Sequence, residues 1–167
     1  MTNRQNIKRT AELAILTAIV VVFQLLGSFI HIGPTNVSLV LVPIVIGAIL
    51  TDPKGGAFLG FVFGAMTYFA GVFGFDPFTN VLFAAQPIAT AVICFGKGIL
   101  AGLCAGLIYR AFAKKNSLAA AILASAAAPI VNTGLFILGG LLLVSGTLSA
   151  NLAAFGADGQ TVVYFLV

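Results

Sequence analysis

The chain is 167 residues long, 60% hydrophobic and only 7% charged, with a mean hydropathy of +1.16. Soluble domains carry about a quarter charged residues, so this composition excludes an ordinary soluble domain, and no polar stretch is long enough to form a separate one. The net charge of +4 does not point to nucleic acid, because the basic residues flank apolar runs and form no basic face.

A bilayer core takes about 20 apolar residues of helix, with a range of roughly 17–25. The first such run is near Ala11–His31, preceded by Arg4, Lys8 and Arg9. It is longer than the roughly 7–15-residue core of a signal peptide and no A-x-A site follows, so it reads as a membrane helix that stays. Gly33-Pro34-Thr35-Asn36 forms a turn, and a second span covers about Ser38–Leu50, short for a crossing. The turn Thr51–Gly56 leads to a third span, about Ala57–Phe73, and the loop Gly74–Pro77 follows.

The stretch Phe78–Phe112 is too long for one crossing, since at about 1.5 Å per residue it makes a helix of roughly 50 Å. Splitting it at Gly96-Lys97-Gly98 into two crossings would put Arg110, Lys114 and Lys115 on the side opposite Lys8, Arg9 and Lys54, against the positive-inside rule. One crossing, about Gly98–Phe112, keeps every basic turn cytoplasmic together with the N-terminus. Phe78–Phe95 is then expected as a semi-buried external loop or re-entrant segment, interrupted by Pro77 and Pro87. A fifth span covers about Leu118–Val144. A polar external loop, Ser145–Gln160, contains Asp158, and Thr161–Val167 looks like the start of a sixth span.

Two of these spans carry glycine at every fourth residue: Gly56, Gly60 and Gly64, then Gly98, Gly102 and Gly106. Small residues at this spacing let helix backbones approach closely in lipid, so internal packing is the expected use. Ala14 and Ala18, and again Ala120, Ala124 and Ala128, repeat the spacing.

Polar residues inside or beside the spans are few: Gln24, Asn36, Tyr68, Asn132 and Thr133, with His31 at the first turn. Each needs a partner in a low-dielectric setting, either another helix or a ligand. Lys97 stands alone between apolar stretches. It pairs with Asp76 or Asp158, snorkels to the outer interface, or contacts a carboxylate or phosphate of a substrate. No metal or cofactor is indicated: His31 has no ligand-like neighbours, and Cys94 and Cys104 lack metal-ligand spacing. There is no G-x-x-x-x-G-K-[ST] motif for ATP hydrolysis and no Ser/His/Asp or Cys/His set for catalysis, so the chain does not read as an enzyme. The absence of a mid-span carboxylate disfavours an ion-coupled carrier.

Several segments carry a family resemblance. Leu41-Val-Pro-Ile-Val-Ile-Gly-Ala-Ile-Leu50, Asp52-Pro-Lys-Gly-Gly-Ala57, Phe58-Leu-Gly-Phe-Val-Phe-Gly64, Lys97-Gly-x-x-Ala-Gly102 and Ala128-Pro-Ile-Val-Asn-Thr-Gly134 together resemble the substrate-binding S components of energy-coupling factor (ECF) vitamin transporters. The resemblance runs from Ala11 to about Leu143.

It implies an all-α polytopic membrane protein in the cell membrane: a six-helix bundle, its sixth helix incomplete here, with a vitamin pocket open to the outside. It implies partners as well, a transmembrane T subunit and two ABC-type ATPases. Ala14 and Ala18 match the family's alanine motif that docks the T subunit. Family pockets use the outer parts of helices and external loops, which makes Asn36, Tyr68, Gln86, Lys97 and Asn132 the candidate substrate contacts. Pantothenate, riboflavin and folate each offer an anion or polar edge to Lys97 and Asn132. Pantothenate is favoured, because few aromatics other than Tyr68 and nearby phenylalanines are available for stacking a flavin or pterin. The rival readings are a self-sufficient secondary carrier or channel, and a structural membrane protein that binds no small molecule.

Overall fold

The computed structural model describes residues 3–29, 31–32, 35–36 and 39–143. The expected turn at Gly33-Pro34, the loop Ser145–Gln160 with Asp158, and the start of a sixth span at Thr161–Val167 lie outside these residues. The described chain forms α1 (Asn3–Phe29), β1 (His31–Ile32), β2 (Thr35–Asn36), α2 (Leu41–Leu50), α3 (Pro53–Val72), α4 (Pro77–Ala85), α5 (Pro87–Phe112) and α6 (Ser117–Leu143). The two short strands pair antiparallel, His31 opposite Asn36. The rest is an all-α membrane bundle, in which α1, α3, α5 and α6 are long and apolar enough to cross a bilayer. α2 is also apolar, but its 10 residues span only about 15 Å, half of the hydrocarbon core.

Prolines start three of the helices. Pro53, Pro77 and Pro87 each stand in the first turn, where a missing backbone N–H costs nothing. This accounts for the largest departure from the sequence expectation. Phe78–Phe95 is not a loop: it comprises α4 and the beginning of α5, and the fourth spanning helix starts at Pro87 instead of Gly98. Pro87 opens that helix and does not break it. Gly96-Lys97-Gly98 likewise lies within continuous helix. Between the third span and Lys114 one helix, α5, is long and apolar enough to cross a bilayer.

Capping fixes the other ends. Asp76 accepts a 2.7 Å hydrogen bond from the Thr79 hydroxyl at the start of α4, and Asn80 donates to the Gly71 carbonyl at 2.8 Å. Gly74, at φ +76°, makes the reversal between α3 and α4. The Asn116 side chain accepts from the Leu118 and Ala119 amides to open α6.

α3 and α5 form the centre of the bundle, lying antiparallel with their two glycine stripes face to face. A β-carbon on Gly60 would meet the Gly98 carbonyl at 2.0 Å, one on Gly102 the Gly56 carbonyl at 2.0 Å, and one on Gly64 the Cys94 carbonyl at 2.5 Å. On one side of this seam Leu16 and Val20 of α1 pack with Val40, with Leu41 and Ile44 of α2 and with Leu59 and Phe63 of α3. A second cluster joins Val45 and Ala48 of α2, Ala105 of α5, and Ala124 and Ala128 of α6. The Arg9–Asp52 ion pair ties the start of α1 to the α2–α3 turn. Close approach of Gly106 to Pro53 brings the end of α5 to the same level. Lys8, Arg9, Lys54 and Arg110, with Lys114 and Lys115 just beyond α5, therefore gather at one end of the bundle.

Candidate functional site

Lys97 takes its place from the seam. Gly98 is pressed against Gly60, and successive helical residues turn by about 100°. The residue before Gly98 is therefore directed to the flank of α5 where α6 packs. Lys97 is buried, only 7% exposed, about 15 Å along α5 from Pro87. It lies in the middle third of this spanning-length helix and not at its end. Its Nζ stands 4.1 Å from the centre of the Phe136 ring of α6 and 5.7 Å from that of Phe63 of α3. Among the described residues it makes no ion pair or hydrogen bond; Asp76 is engaged by Thr79, and Asp158 lies outside the described residues. A cation at this depth costs about 2.5–3.5 kcal/mol on insertion scales, and desolvated aromatic faces return about 2 kcal/mol. The balance leaves the ammonium short of a partner.

Asn132 supplies the second unsatisfied group. It is 7% exposed, and its Oδ1 has no hydrogen-bond partner. Buried side-chain acceptors are rarely left so, and one that is calls for an explanation. Asn132 lies one helical turn before Phe136, on the same face of α6. Neighbours at this spacing stand about 5–6 Å apart at their β-carbons. The register of α6 on α5 is set nearby, where Ile93 fills the space beside Gly139. An ammonium without an anion and a carbonyl without a donor thus face the same α5–α6 interface, walled by Phe63 and Phe136.

The remaining candidates are placed differently. Tyr68 belongs to an aromatic group with Phe83 of α4 at 5.8 Å and Phe95 of α5 at 6.0 Å, and Phe61 stacks on Phe95 at 5.2 Å. Tyr68 follows Phe63 by five residues, which turns it about 140° around α3. The glycine seam therefore separates Tyr68 from Lys97. Gln86 is exposed at the α4–α5 junction, where its carbonyl accepts from the Thr90 amide and hydroxyl. Asn36 lies in β2 and pairs with His31; its backbone, but not its side chain, is among the described features. Ala14 and Ala18 are exposed on α1, away from the buried Leu16 and Val20 and beside exposed Ile15, Ile19 and Val22. Phe63 and Phe136 were not singled out by sequence. The one available signal was the four-residue spacing of Asn132 and Phe136, which is also an ordinary packing pattern.

Residues 8–167 match the model of one protein family, ECF transporter, substrate-specific component. The chain belongs to that family. Searches of curated proteins and of solved structures gave no match. Membership makes the chain the substrate-binding subunit of an ECF transporter, a multi-pass membrane protein of the transport machinery. It also implies a small-molecule substrate and association with T and ATPase subunits.

Proposed function

We propose that this S component captures a water-soluble vitamin from outside the cell membrane, with Lys97 and Asn132 as the central contacts. The observation carrying this reading is the Lys97 ammonium set against Phe136 without an ion-pair partner among the described residues, one helical turn from the unpartnered Asn132 carbonyl. Groups buried at such cost in the bilayer are usually functional, and a polar ligand relieves both at once. Asn36 and Gln86, at the end of the bundle opposite the basic turns, are proposed as contacts near the entrance. Tyr68 is set apart by the seam and is left out of the central set. The basic end is assigned to the cytoplasm by the positive-inside rule, which places the N-terminus there too.

The chain itself carries no ATP-binding motif, so the energy for release inward comes from partners: a T subunit and two ABC-type ATPases. Ala14 and Ala18 form the proposed T-subunit contact, a small-residue face that lets another helix approach closely. Pantothenate, riboflavin and folate are the vitamins considered, pantothenate first.

Mass spectrometry of small molecules retained by the detergent-purified protein tests the capture reading. A vitamin retained by the wild type and lost from Lys97→Ala is expected. No retained vitamin, and none bound at micromolar levels in calorimetry, overturns it. Uptake into vesicles lacking any ATPase would instead favour a self-sufficient carrier. For docking, a tagged T subunit is expected to pull down the wild type but not Ala14→Trp/Ala18→Trp; equal capture of both sinks that assignment.

A further inference from the structure

We infer that the ligand of Lys97 and Asn132 is a monocarboxylate with a hydroxyl or amide N–H close to its carboxylate, and neither a neutral molecule nor a dianion. This deepens the proposed capture site and rests on it. The first step is a count of charge. Away from the basic end, the charged side chains among the described residues are Lys97 and Asp76. Asp76 is held at the start of α4 by the Thr79 hydroxyl and forms no ion pair with Lys97. Among the described residues the interior of the site therefore presents one positive charge, set against the π faces of Phe136 and Phe63, with Asp76 acting on it only at longer range and not as an ion-pair partner.

A neutral ligand leaves that charge bare in a low-dielectric setting. A phosphate ester or dicarboxylate over-neutralises it and buries a negative charge with no cation to meet it. One carboxylate balances it. The second step concerns hydrogen bonding. The Asn132 Oδ1 is an acceptor, so it is satisfied only by a donor on the ligand, which a bare fatty or aromatic acid lacks. The third step is reach. Nζ lies against the ring of Phe136, one turn from Asn132, so one small molecule can meet both groups.

The charge count separates the vitamins considered above. Pantothenate has one carboxylate, an amide and hydroxyls; riboflavin has no carboxylate and folate has two. The direct test is calorimetry on the purified full chain with pantothenate and panthenol, which differ in having a carboxylate or an alcohol at the same end. Biotin is included as a monocarboxylate whose N–H donors are remote from its carboxylate, and riboflavin and folate as the neutral and dianionic probes.

Pantothenate is expected to bind most tightly, with panthenol weaker than pantothenate by on the order of 100-fold. Lys97→Met should erase that difference, and Lys97→Arg should keep most of it. Panthenol or biotin binding within a few-fold of pantothenate, riboflavin or folate binding more tightly than pantothenate, or no binding of pantothenate overturns the inference. The wild-type comparison needs no variant to fold. If a neutral or dianionic probe wins but weakens in Lys97→Met, the capture site stands and the charge class falls. If Lys97→Met leaves every affinity unchanged, the capture site falls with it.

Discussion

Gly60→Ala is expected to damage both the stability of the bundle and the ligand site, although it adds a single methyl group. The new β-carbon would lie 2.0 Å from the Gly98 carbonyl oxygen and 2.6 Å from its carbon, both parts of helix backbone that cannot rotate away. Restoring an ordinary 3.4 Å contact requires α3 and α5 to part by about 1.4 Å at this level. The same displacement loosens the Gly56–Gly102 and Gly64–Cys94 contacts on either side. Overpacking of this kind costs about 1–3 kcal/mol, partly offset by the roughly 1 kcal/mol by which alanine favours helix over glycine. Because Lys97 precedes Gly98, the shift also moves its ammonium relative to Phe63. Thermal unfolding of the detergent-purified variant should therefore show a Tm several degrees lower, with weakened ligand binding. Gly96→Ala is the matched control: a β-carbon there meets nothing within 4 Å, so its Tm should hold or rise slightly. Equal Tm values for the two variants would refute the idea that the glycine stripes are a close-packed seam.

Lys97→Met should raise the Tm of the ligand-free protein by an amount corresponding to about 1–2 kcal/mol, because it removes a buried cation that has only aromatic partners; a lower Tm would show that Lys97 is satisfied in the empty state. Asp76→Ala removes the acceptor for the Thr79 hydroxyl and should cost about 1 kcal/mol, read as faster hydrogen exchange at the α4 amides; unchanged exchange would mean that the cap does not hold α4.

Much of the bundle was readable from one-dimensional signals. Charges at Lys8–Arg9, Lys54 and Arg110–Lys115 marked the ends of apolar runs, and the four-residue glycine spacing marked the faces that meet. Pro87 was misleading because proline interrupts a helix in its interior but suits its first turn, and the choice depends on where the preceding helix ends. Gly96-Lys97-Gly98 looked like a break for a related reason. Glycine weakens an isolated helix, yet here Gly98 is required for the approach of α3. The meeting of Lys97 with Phe136, one turn from Asn132, was beyond local reading. It depends on the register of α6 against α5, set by Ile93 beside Gly139 and by the buried Ala124 and Ala128. Tyr68 and Lys97 stand alike in the sequence, each a polar side chain within a long apolar helix. Only pairing the stripes places them on opposite flanks.

The glycine seam and the buried lysine are two consequences of one arrangement. If a larger residue replaced Gly98, α5 would stand off from α3, and Lys97 would gain room to reach water or lipid headgroups. With glycine there, close packing of the α3 and α5 backbones fixes the direction in which Lys97 leaves α5, and the ammonium is confined against Phe63 and Phe136. The seam thus opposes the escape that a long, flexible lysine would otherwise make by snorkelling. Packing along the seam offsets the cost of holding a cation without its anion, and the ligand supplies what the fold withholds. On this argument, affinity depends on seam residues that never touch the ligand, and loosening the seam lowers affinity even while Lys97 and Asn132 remain in place.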